Sequence, residues 1–452
     1  MKHYQETLIK EQTNLPIYGE FDVLVCGGGP AGVAAAETAA QRGNNTLLVE
    51  KNGFLGGAAV AGYSGTIGGL FSSSDNPKIT GPQQIVFGWT DRFYKKMKDN
   101  QFVTDPQLYG KTFLVPFDPQ GWKEVAEDML LESGVQILYH STIIGVIKRE
   151  SKFKGIIVFT KQGLCQILAK KIIDATGDAE LIAKSGLPYT MGDEGKIQNP
   201  TMIFRLSSVD IDSFKAFWGE DTICSDDVTE MIIQARKKDS LNLPRSKVWV
   251  YPTNRPNELF MNVTLITGEN GRPLNVCDPD DHTLAEQNAR KQVRDYAEFF
   301  RKYIPGCEKS FVNDLSNEVG VRQTRSIVGI KRLENSHITK AKKFSDGIVK
   351  SAWPIELHNG ESPYMYWLID DYYEVPFGTL VPKKGENIIV AGRNLCAEHE
   401  ALASCRVIAQ CFEYGHAAAI ATDIALKNNK KYRELNGQDI RKMLNKENAR
   451  LD

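Results

Sequence analysis

The sequence lacks the patterns that hold a metal ion or a disulfide framework. Its eight cysteines are scattered, and none belongs to a CxxC pair or to a Cys/His cluster at zinc or iron–sulfur spacing. We therefore predict no metal site. We expect reduced, mostly buried thiols, which are typical of a cytoplasmic protein.

An excess of charge of one sign is also absent. Lysine and arginine total 55 and aspartate and glutamate total 56, so the formal net charge is −1. Such a chain has no basic field that would gather nucleic acid or anionic lipid. We expect neither nucleic acid nor a membrane among its partners.

Long hydrophobic runs are missing as well. Residues Met1–Tyr18 are polar and of mixed charge, without the apolar stretch of a signal peptide. The most apolar later segment, Glu400–Leu426, is interrupted by five polar or charged residues, which are Arg406, Gln410, Glu413, His416 and Asp423. A membrane span is therefore not expected, and the segment is predicted to be one long helix buried on most sides. We expect a cytoplasmic location.

What the chain does have is a dinucleotide-binding pattern over Phe21–Glu50. An apolar strand at Phe21–Cys26 is followed by Gly27, Gly29 and Gly32, which satisfy GxGxxG. The next two elements are a helix of small residues and a second strand, at Ala31–Arg42 and Thr46–Glu50. A glycine motif in this context predicts a phosphate-binding loop, and a glycine-rich turn without a ligand is the alternative.

Each glycine of this loop has a physical task. Gly27 permits the tight turn, Gly29 lets a pyrophosphate approach the backbone, and Gly32 lets the helix lie against the strand. The start of the helix, with Pro30 and Ala31, offers unpaired N–H groups and a partial positive charge to the phosphates.

Glu50 ends the second strand, 18 positions after the last of these glycines. At that position an acidic side chain accepts both hydroxyls of an adenosine ribose, which fits NAD and FAD equally. Lys51 follows, and a glycine pair, Gly56 and Gly57, precedes Ala58. The pair suggests backbone that passes close beside a flavin or its pyrophosphate, and a flexible loop is the alternative.

The order strand, GxGxxG loop, helix, strand and Glu50, followed by Leu55-Gly56-Gly57, resembles the FAD-dependent oxidoreductases of the glutathione-reductase structural class. Within that class the chain is most similar to the bacterial FAD-dependent oxidoreductases related to fumarate reductase and L-aspartate oxidase. The resemblance covers most of the chain and is weakest over residues 205–310. It implies an α/β fold, with a Rossmann-like FAD-binding domain, an inserted β-meander and a mixed α+β substrate domain. The implied cofactor is a non-covalently bound FAD.

Short β-type runs between residues 135 and 174 agree with such an insertion. Four of them are predicted to form the meander, at Val135–Tyr139, Thr142–Lys148, Gly155–Thr160 and Leu164–Ala169. A separate strand, Lys171–Asp174, is predicted to return the chain to the dinucleotide sheet. We expect a discontinuous FAD-binding domain over 1–190 and 388–452 and a substrate domain over 191–387.

Further cofactor contacts are implied by the resemblance. Gly177 and Asp178 would lie near the adenine half of FAD, although Asp178 also suits capping of the next helix. Gly392 and Arg393 match the second FAD fingerprint, in which a strand leads into a helix whose N-terminus points at the flavin. Disulfide reductases and aromatic hydroxylases carry Gly-Asp there, so Ala-Gly-Arg argues against those two subfamilies. The family pattern implies three more contacts, at Ser404, Arg406 and Val407.

Three residues are candidates for catalysis. His399 precedes the helix expected to face the flavin, where an imidazole suits proton transfer, and a structural histidine is the alternative. Arg322 and Arg325 belong to a block that matches the family's Arg-x-Thr-Arg. They would clamp a carboxylate or lie over the flavin, or else bridge the two domains through backbone carbonyls.

No second GxGxxG follows a strand later in the chain, so a dedicated NAD(P)H domain is not expected. Electrons would come from the substrate, from a partner protein or from a visiting nicotinamide. The chain is therefore interpreted as an FAD-dependent dehydrogenase or reductase that moves a hydride between a small organic substrate and flavin N5. Two alternatives are a flavin-dependent tRNA-modification enzyme and a redox-silent FAD-fold protein that binds a protein partner. The sequence leaves open the substrate, the reaction direction and assembly into a homo-oligomer.

Overall fold

The computed structural model describes residues 15–358 and 360–452 of the protein. We predicted that Met1–Tyr18 is not a signal peptide, and most of that segment, residues 1–14, lies outside the described residues. Within the described ranges the strands are β1 (Ile17–Cys26), β2 (Thr46–Val49), β3 (Thr66–Ile67), β4 (Gln107–Tyr109), β5 (Thr112–Pro116), β6 (Gln136–Leu138), β7 (Thr142–Arg149), β8 (Lys152–Thr160), β9 (Gly163–Asp174), β10 (Tyr189–Met191), β11 (Phe204–Ser207), β12 (Trp249–Pro252), β13 (Glu258–Asn262), β14 (Phe311–Leu315), β15 (Arg325–Ile327), β16 (Gly347–Ser351), β17 (Ile355–Leu357), β18 (Tyr364–Tyr366), β19 (Tyr373–Pro376) and β20 (Ile388–Val390).

The α-helices of the same ranges are α1 (Pro30–Gln41), α2 (Pro77–Thr80), α3 (Trp89–Asp99), α4 (Pro119–Glu132), α5 (Glu180–Lys184), α6 (Ile211–Trp218), α7 (Asp226–Lys238), α8 (Pro279–Tyr303), α9 (Asn335–Thr339), α10 (His399–Cys405), α11 (Ile408–Lys427) and α12 (Gly437–Lys446). None of the described helices combines the length and the apolar composition that crossing a bilayer requires.

A seven-stranded sheet has the strand order β6-β2-β1-β9-β8-β7, with β20 beside β9. Strand β1 lies parallel between β2 and β9, with Val25 opposite Leu48 and Ile173. All three side chains are fully buried, as expected for parallel strands covered on both faces. Strands β7, β8 and β9 pair antiparallel, as a meander does. The predicted Rossmann-like α/β fold with an inserted β-meander is therefore confirmed.

Two details of the predicted strands are wrong. Leu164–Ala169 and Lys171–Asp174 are one strand, β9, whose start pairs antiparallel with β8 and whose end pairs in parallel with β20. The polar residue between them, Lys170, does not interrupt the ladder because its side chain reaches out to Asp22 at 2.7 Å. The run Val135–Tyr139 contains β6, which pairs in parallel with β2 and so belongs to the dinucleotide sheet rather than to the meander.

The predicted single helix over Glu400–Leu426 is also wrong, because the segment forms two helices. Helix α10 ends at Cys405 and α11 begins at Ile408, since Val407 between them has extended backbone (φ −73°, ψ 163°). Neither proline nor glycine stands at this break, so the sequence carries no signal for it. The break creates a new helix N-terminus in the middle of the segment.

A second core lies in the part of the chain assigned to the substrate domain. It is an antiparallel sheet of order β12-β13-β11-β14 that packs against α6, α7 and α8, in agreement with the mixed α+β prediction. The predicted boundary at 190/191 falls inside β10, which pairs with β15. The division of the chain into two domains stays a prediction.

Candidate functional site

A cavity of about 340 Å³ opens at the carboxyl edge of the seven-stranded sheet. The loops that follow β1, β2, β9 and β20 all contribute to its wall. In open sheets with parallel strands, ligands bind at this edge, where the strand ends meet. From there the cavity continues past the start of α11 to residues beside the second core and to β17.

The glycine loop has the geometry of a phosphate cradle. Gly27 has φ +100°, and a Cβ on Gly32 would lie 1.8 Å from the carbonyl oxygen of Gly27, so the turn and the close helix both require glycine. At Gly29 an added Cβ would have no neighbour nearer than 3.9 Å. Gly29, Pro30 and Ala31 line the cavity, whereas Gly32 packs behind them. The loop therefore presents open backbone and the N-terminus of α1 to a ligand.

Glu50 stands where the ribose contact was predicted. It is 5% exposed and lines the cavity. Its two carboxylate oxygens accept hydrogen bonds from the backbone N–H groups of Gly28 at 2.7 Å and Asn52 at 2.9 Å. Burial raises the pKa of Glu50 in spite of these bonds. The neighbouring Lys51 lies at the cavity wall and donates to Glu318 at 2.7 Å.

The Gly56–Gly57 pair packs directly on the glycine loop. The N–H of Gly56 donates to the carbonyl of Gly28 at 2.8 Å. A Cβ on Gly57 would lie 2.9 Å from the Cα of Gly29. Gly57 and Ala58 line the cavity, whereas Gly56 does not.

Asp178 and Arg393 form an ion pair at the wall of the same cavity. The Arg393 guanidinium donates to Asp178 at 2.7 Å, and the Thr324 hydroxyl donates to the same oxygen at 2.6 Å. Burial alone would raise the pKa of Asp178, but the charge of Arg393 and these hydrogen bonds lower it. The alternative that Asp178 caps the next helix is wrong, because the N-cap of α5 is Ala179. Gly177 and Gly392 line the wall beside this pair.

The start of α11, not that of α10, faces the cavity. Arg406, Val407 and Ile408 line it. Ser404 lies outside the lining and donates its hydroxyl to the carbonyl of Trp353 at 2.5 Å. His399 was predicted to stand at the start of a single long helix, but the helix that faces the cavity begins nine residues later, at Ile408.

His399 and Arg325 are accordingly not among the residues that line the cavity. His399 is 8% exposed, its backbone N–H donates to Asp193 at 3.2 Å, and burial lowers the pKa of its imidazole. Arg325 reaches the backbone carbonyl of Asp178 at 3.5 Å and lies over the ring of Tyr189. Of the three candidate catalytic residues, the structure brings Arg322 alone to the cavity wall.

Arg322 lies in a polar part of the same cavity, here called the inner chamber, whose other residues, apart from Arg406, were not predicted from the sequence. The chamber is lined by Arg322, Arg406, Tyr109, Tyr251, Asn262, Trp353, Glu356 and His358. Glu356 accepts hydrogen bonds from the Tyr109 hydroxyl at 2.6 Å and from the imidazole of His358 at 3.0 Å. Arg322 donates to the carbonyl of Asn199 at 3.0 Å. One signal was available, since Glu356 and His358 alternate with the apolar Ile355 and Leu357, a spacing that places both polar residues on one face of a strand.

The hydrogen bonds of the chamber fix the protonation of His358. The guanidinium of Arg245 contacts Nδ1 of His358 and can only donate a hydrogen bond, so Nδ1 is the acceptor. The ring proton is therefore on Nε2, which donates a hydrogen bond to Glu356. Burial and the charge of Arg322 hold the pKa of His358 well below its usual value, so the ring is neutral. Burial would raise the pKa of Glu356, but its contacts with His358, Tyr109 and Arg406 lower it, so the carboxylate is ionised.

The described residues fit a dinucleotide and offer no metal site. The open position beside Gly29 leaves room for a pyrophosphate, and Glu50 lies at the end of the adjacent strand. In the part of the chain that the structure describes, no group of three or more His, Cys, Asp and Glu side chains is arranged to hold a metal ion. All eight cysteines are free thiols.

Comparison with known proteins identifies the family. The model of the FAD dependent oxidoreductase family matches residues 22–444. A digeranylgeranylglycerophospholipid reductase of Thermoplasma volcanium is 25% identical over 193 residues, which are 42% of this chain and 48% of that protein. A thiamine thiazole synthase of Aeropyrum pernix is 27% identical over 188 residues, 39% of this chain and 62% of that protein. The match thus spans less than two thirds of either relative.

A solved structure agrees with the fold. The geranylgeranyl bacteriochlorophyll reductase-like protein of Thermoplasma acidophilum has a TM-score of 0.52 at 15% identity, over 95% of this chain and 84% of that one. The finer resemblance to the glutathione-reductase class, fumarate reductase and L-aspartate oxidase stays a prediction. The chain belongs to the FAD dependent oxidoreductase family and is a flavin-dependent enzyme.

Proposed function

We propose that the protein is a dehydrogenase or reductase that transfers a hydride between a small organic substrate and N5 of a non-covalently bound FAD. The observation that carries this proposal is the continuity of the cavity, which joins the phosphate cradle to the chamber around Arg322 and Glu356. An ionised, hydrogen-bonded carboxylate inside a cofactor cavity is typical of a catalytic site, which favours an enzyme over a redox-silent protein.

Four sets of residues would hold the cofactor. Glu50 would accept hydrogen bonds from the ribose hydroxyls, and the Gly29 loop with the start of α1 would receive the pyrophosphate. The Asp178–Arg393 pair keeps the facing wall rigid. The start of α11, with Arg406 and Val407, provides positive potential. FAD, when bound, supplies the two-electron acceptor or donor of the reaction.

Glu356 and Tyr109 are the proposed proton carriers. In the dehydrogenase direction, Glu356 accepts through the Tyr109 hydroxyl the proton that the substrate loses as its hydride departs. In the reductase direction the Tyr109 hydroxyl gives its proton to the substrate, and a proton from water then replaces it by way of Glu356, which is ionised at rest. Burial and the charge of Glu356 raise the pKa of Tyr109, so its hydroxyl relays protons without remaining ionised. His358 holds Glu356 in place by its Nε2–H bond.

We assign this role to Glu356 rather than to His399 because Glu356 lines the cavity and His399 does not. Arg322 keeps its proposed electrostatic role. Arg325 acts through Asp178, whose carbonyl it contacts. The Thermoplasma volcanium relative is a digeranylgeranylglycerophospholipid reductase, and a reductase agrees with this class of reaction. We further propose that the protein is cytoplasmic and that its substrate is a small molecule and not a nucleic acid. An electron-transfer partner and assembly into a homo-oligomer are also part of the proposal.

The test is anaerobic reduction of the purified protein. Denaturation should first release FAD, identified by chromatography. Alcohols, amines and saturated carboxylic acids are then added in turn, and bleaching of the flavin absorbance is followed. Glu356→Gln should retain FAD and lose on the order of 10²–10⁴ in bleaching rate.

Glu361→Gln is the matched control, because Glu361 is 59% exposed and pairs with Arg236 at the surface. It should bleach at the wild-type rate. Released FMN, or no flavin after reconstitution with excess FAD, would contradict the cofactor assignment. An unchanged rate in Glu356→Gln would contradict the proton-carrier assignment.

A further inference from the structure

An ion pair joins two walls of the cavity at its mouth. Lys51 follows directly after Glu50, and Glu318 lies 267 positions further along the chain than Lys51. The ammonium of Lys51 donates a hydrogen bond to the carboxylate of Glu318 at 2.7 Å, and both residues line the cavity. Their side chains are 57% and 29% exposed, so the pair stands at the rim of the cavity rather than in its interior.

Glu318 begins a segment that forms one of these walls. Residues 318–322 all line the cavity, from the exposed rim to the inner chamber. The N–H of Glu318 donates to the carbonyl of Ala61 at 3.2 Å. Two positions later, the N–H of Gly320 donates to the carbonyl of Thr201 at 2.6 Å, so the backbone of the segment is fixed. The flexible partner of the pair is therefore the lysine, whose charge lies at the end of a four-carbon stem.

The pair lies on the solvent side of the position proposed for the ribose. Glu50 is 5% exposed, whereas the side chain of the next residue, Lys51, is 57% exposed. A free lysine at this point would bind an oxygen of the pyrophosphate. Lys51 is instead held by a carboxylate of the opposite wall. The geometry thus gives Lys51 a partner across the cavity rather than a free charge beside the cradle.

We propose that Lys51 and Glu318 form a latch across the mouth of the cavity, which opens for FAD to enter or leave and so sets the rate of cofactor exchange. This inference rests on the FAD site of the proposed function. An ion pair made equally in the free and the loaded protein changes the rates of binding and release by the same factor and leaves Kd unchanged. Because the pair is exposed to solvent, its effect is small, about three-fold in each rate.

The test follows the release of FAD from the loaded protein without turnover. The protein is diluted into buffer, and the free FAD that passes a size-exclusion filter is measured at intervals. The final values over a range of dilutions give Kd. We expect Glu318→Gln and Lys51→Gln each to speed release by about three-fold and to keep Kd within about two-fold of the wild type. The double variant should release FAD no faster than either single variant, because all three lack the same ion pair.

A direct contact between Lys51 and the pyrophosphate predicts different results. Glu318→Gln would then free the lysine to hold the phosphate more firmly, and release would slow. Lys51→Gln would remove a contact with the ligand and weaken Kd by more than two-fold. Each variant therefore decides between the two roles on its own, even if the other does not fold.

Glu220→Gln is the matched control, because Glu220 pairs with Lys78 at 2.6 Å on the surface and neither residue lines the cavity. It should release FAD at the wild-type rate. Unchanged release in both Glu318→Gln and Lys51→Gln, or slower release in Glu318→Gln, overturns the latch and leaves the FAD site standing. If the wild type holds no flavin even after reconstitution with excess FAD, the proposed function fails and the latch fails with it.

Discussion

Gly29 and Gly32 stand three positions apart in one loop, yet a side chain would meet different surroundings at each. The nearest atom to an added Cβ would be 3.9 Å away at Gly29 and 1.8 Å away at Gly32. We expect Gly29→Val to fold and to lose at least about 10-fold in FAD affinity, because the branched side chain occupies the place of the pyrophosphate. Gly32→Val should instead fail to fold, because α1 could not approach the strand.

Flavin absorbance per folded protein measures the first effect, and circular dichroism separates it from the second. A soluble Gly29→Val protein with normal flavin content would mean that this loop is not the cradle. The pair of variants therefore distinguishes a residue that makes room for the ligand from one that makes room for the fold.

Residues of the site were predictable from sequence where the motif is local. Gly29 and Glu50 belong to one strand–loop–helix–strand unit, and the structure places both at the cavity wall. Tyr109 and Glu356, by contrast, meet across 247 positions of the chain, and their contact depends on the packing of distant elements. A hydrogen bond of this kind leaves no local pattern.

At the scale of elements, a helix boundary was predictable only where proline or glycine marks it. Helix α1 was predictable because proline stands at its first position and glycine precedes it. The break at Val407 follows from tertiary packing, and the missing boundary shifted the predicted helix start to His399. The prediction that His399 faces the flavin depended on this helix boundary, and its catalytic role stays a prediction.

His416 on α11 is buried, and its ion pairs lead through the partly exposed Glu447 to two further helices. It contacts Glu413 on the same helix at 3.1 Å and Glu447 at the end of α12 at 2.6 Å. Glu447 also pairs with Arg42 at the end of α1. Burial lowers the pKa of His416, but the hydrogen bonds to the two carboxylates outweigh this effect and raise it to about 9. Because the folded-state pKa is raised, the stabilisation is fully present below about pH 6.5 and is lost as the pH rises through about 9.

We therefore expect His416→Gln to lower the free energy of unfolding by about 3 kcal/mol near pH 6, and by much less near pH 10. Urea unfolding with excess FAD measures both values, and a double-mutant cycle with Glu447→Gln isolates the pair. A loss of stability that stays constant over this range would mean that the charge of His416 is not what stabilises the three helices.

At the scale of the whole molecule, the parallel strands β1 and β2 were predictable because each is one apolar run with its own turn, whereas β9 was divided into two predicted strands and β6 was assigned to the meander. The inner chamber was not predictable, because its wall comes from segments that are far apart in the chain, around Tyr109, Tyr251 and Trp353. A ligand that fills the cavity touches the seven-stranded sheet at one end and residues beside the second core at the other. Binding of the cofactor should therefore stabilise the chain as a unit.

This linkage gives a prediction for the cofactor. At a free FAD concentration of about 100 times the Kd, the native state gains about 2.7 kcal/mol, which should raise Tm by about 3 °C for a chain of this length. FMN, which has no adenosine for Glu50 to hold, should raise Tm by much less at the same concentration, and the FAD shift should be smaller in Gly29→Val than in the wild type. Differential scanning fluorimetry over a range of flavin concentrations measures all three cases. Equal shifts with FAD and FMN would mean that the adenosine half contributes no affinity, and the role of Glu50 would then have to be abandoned.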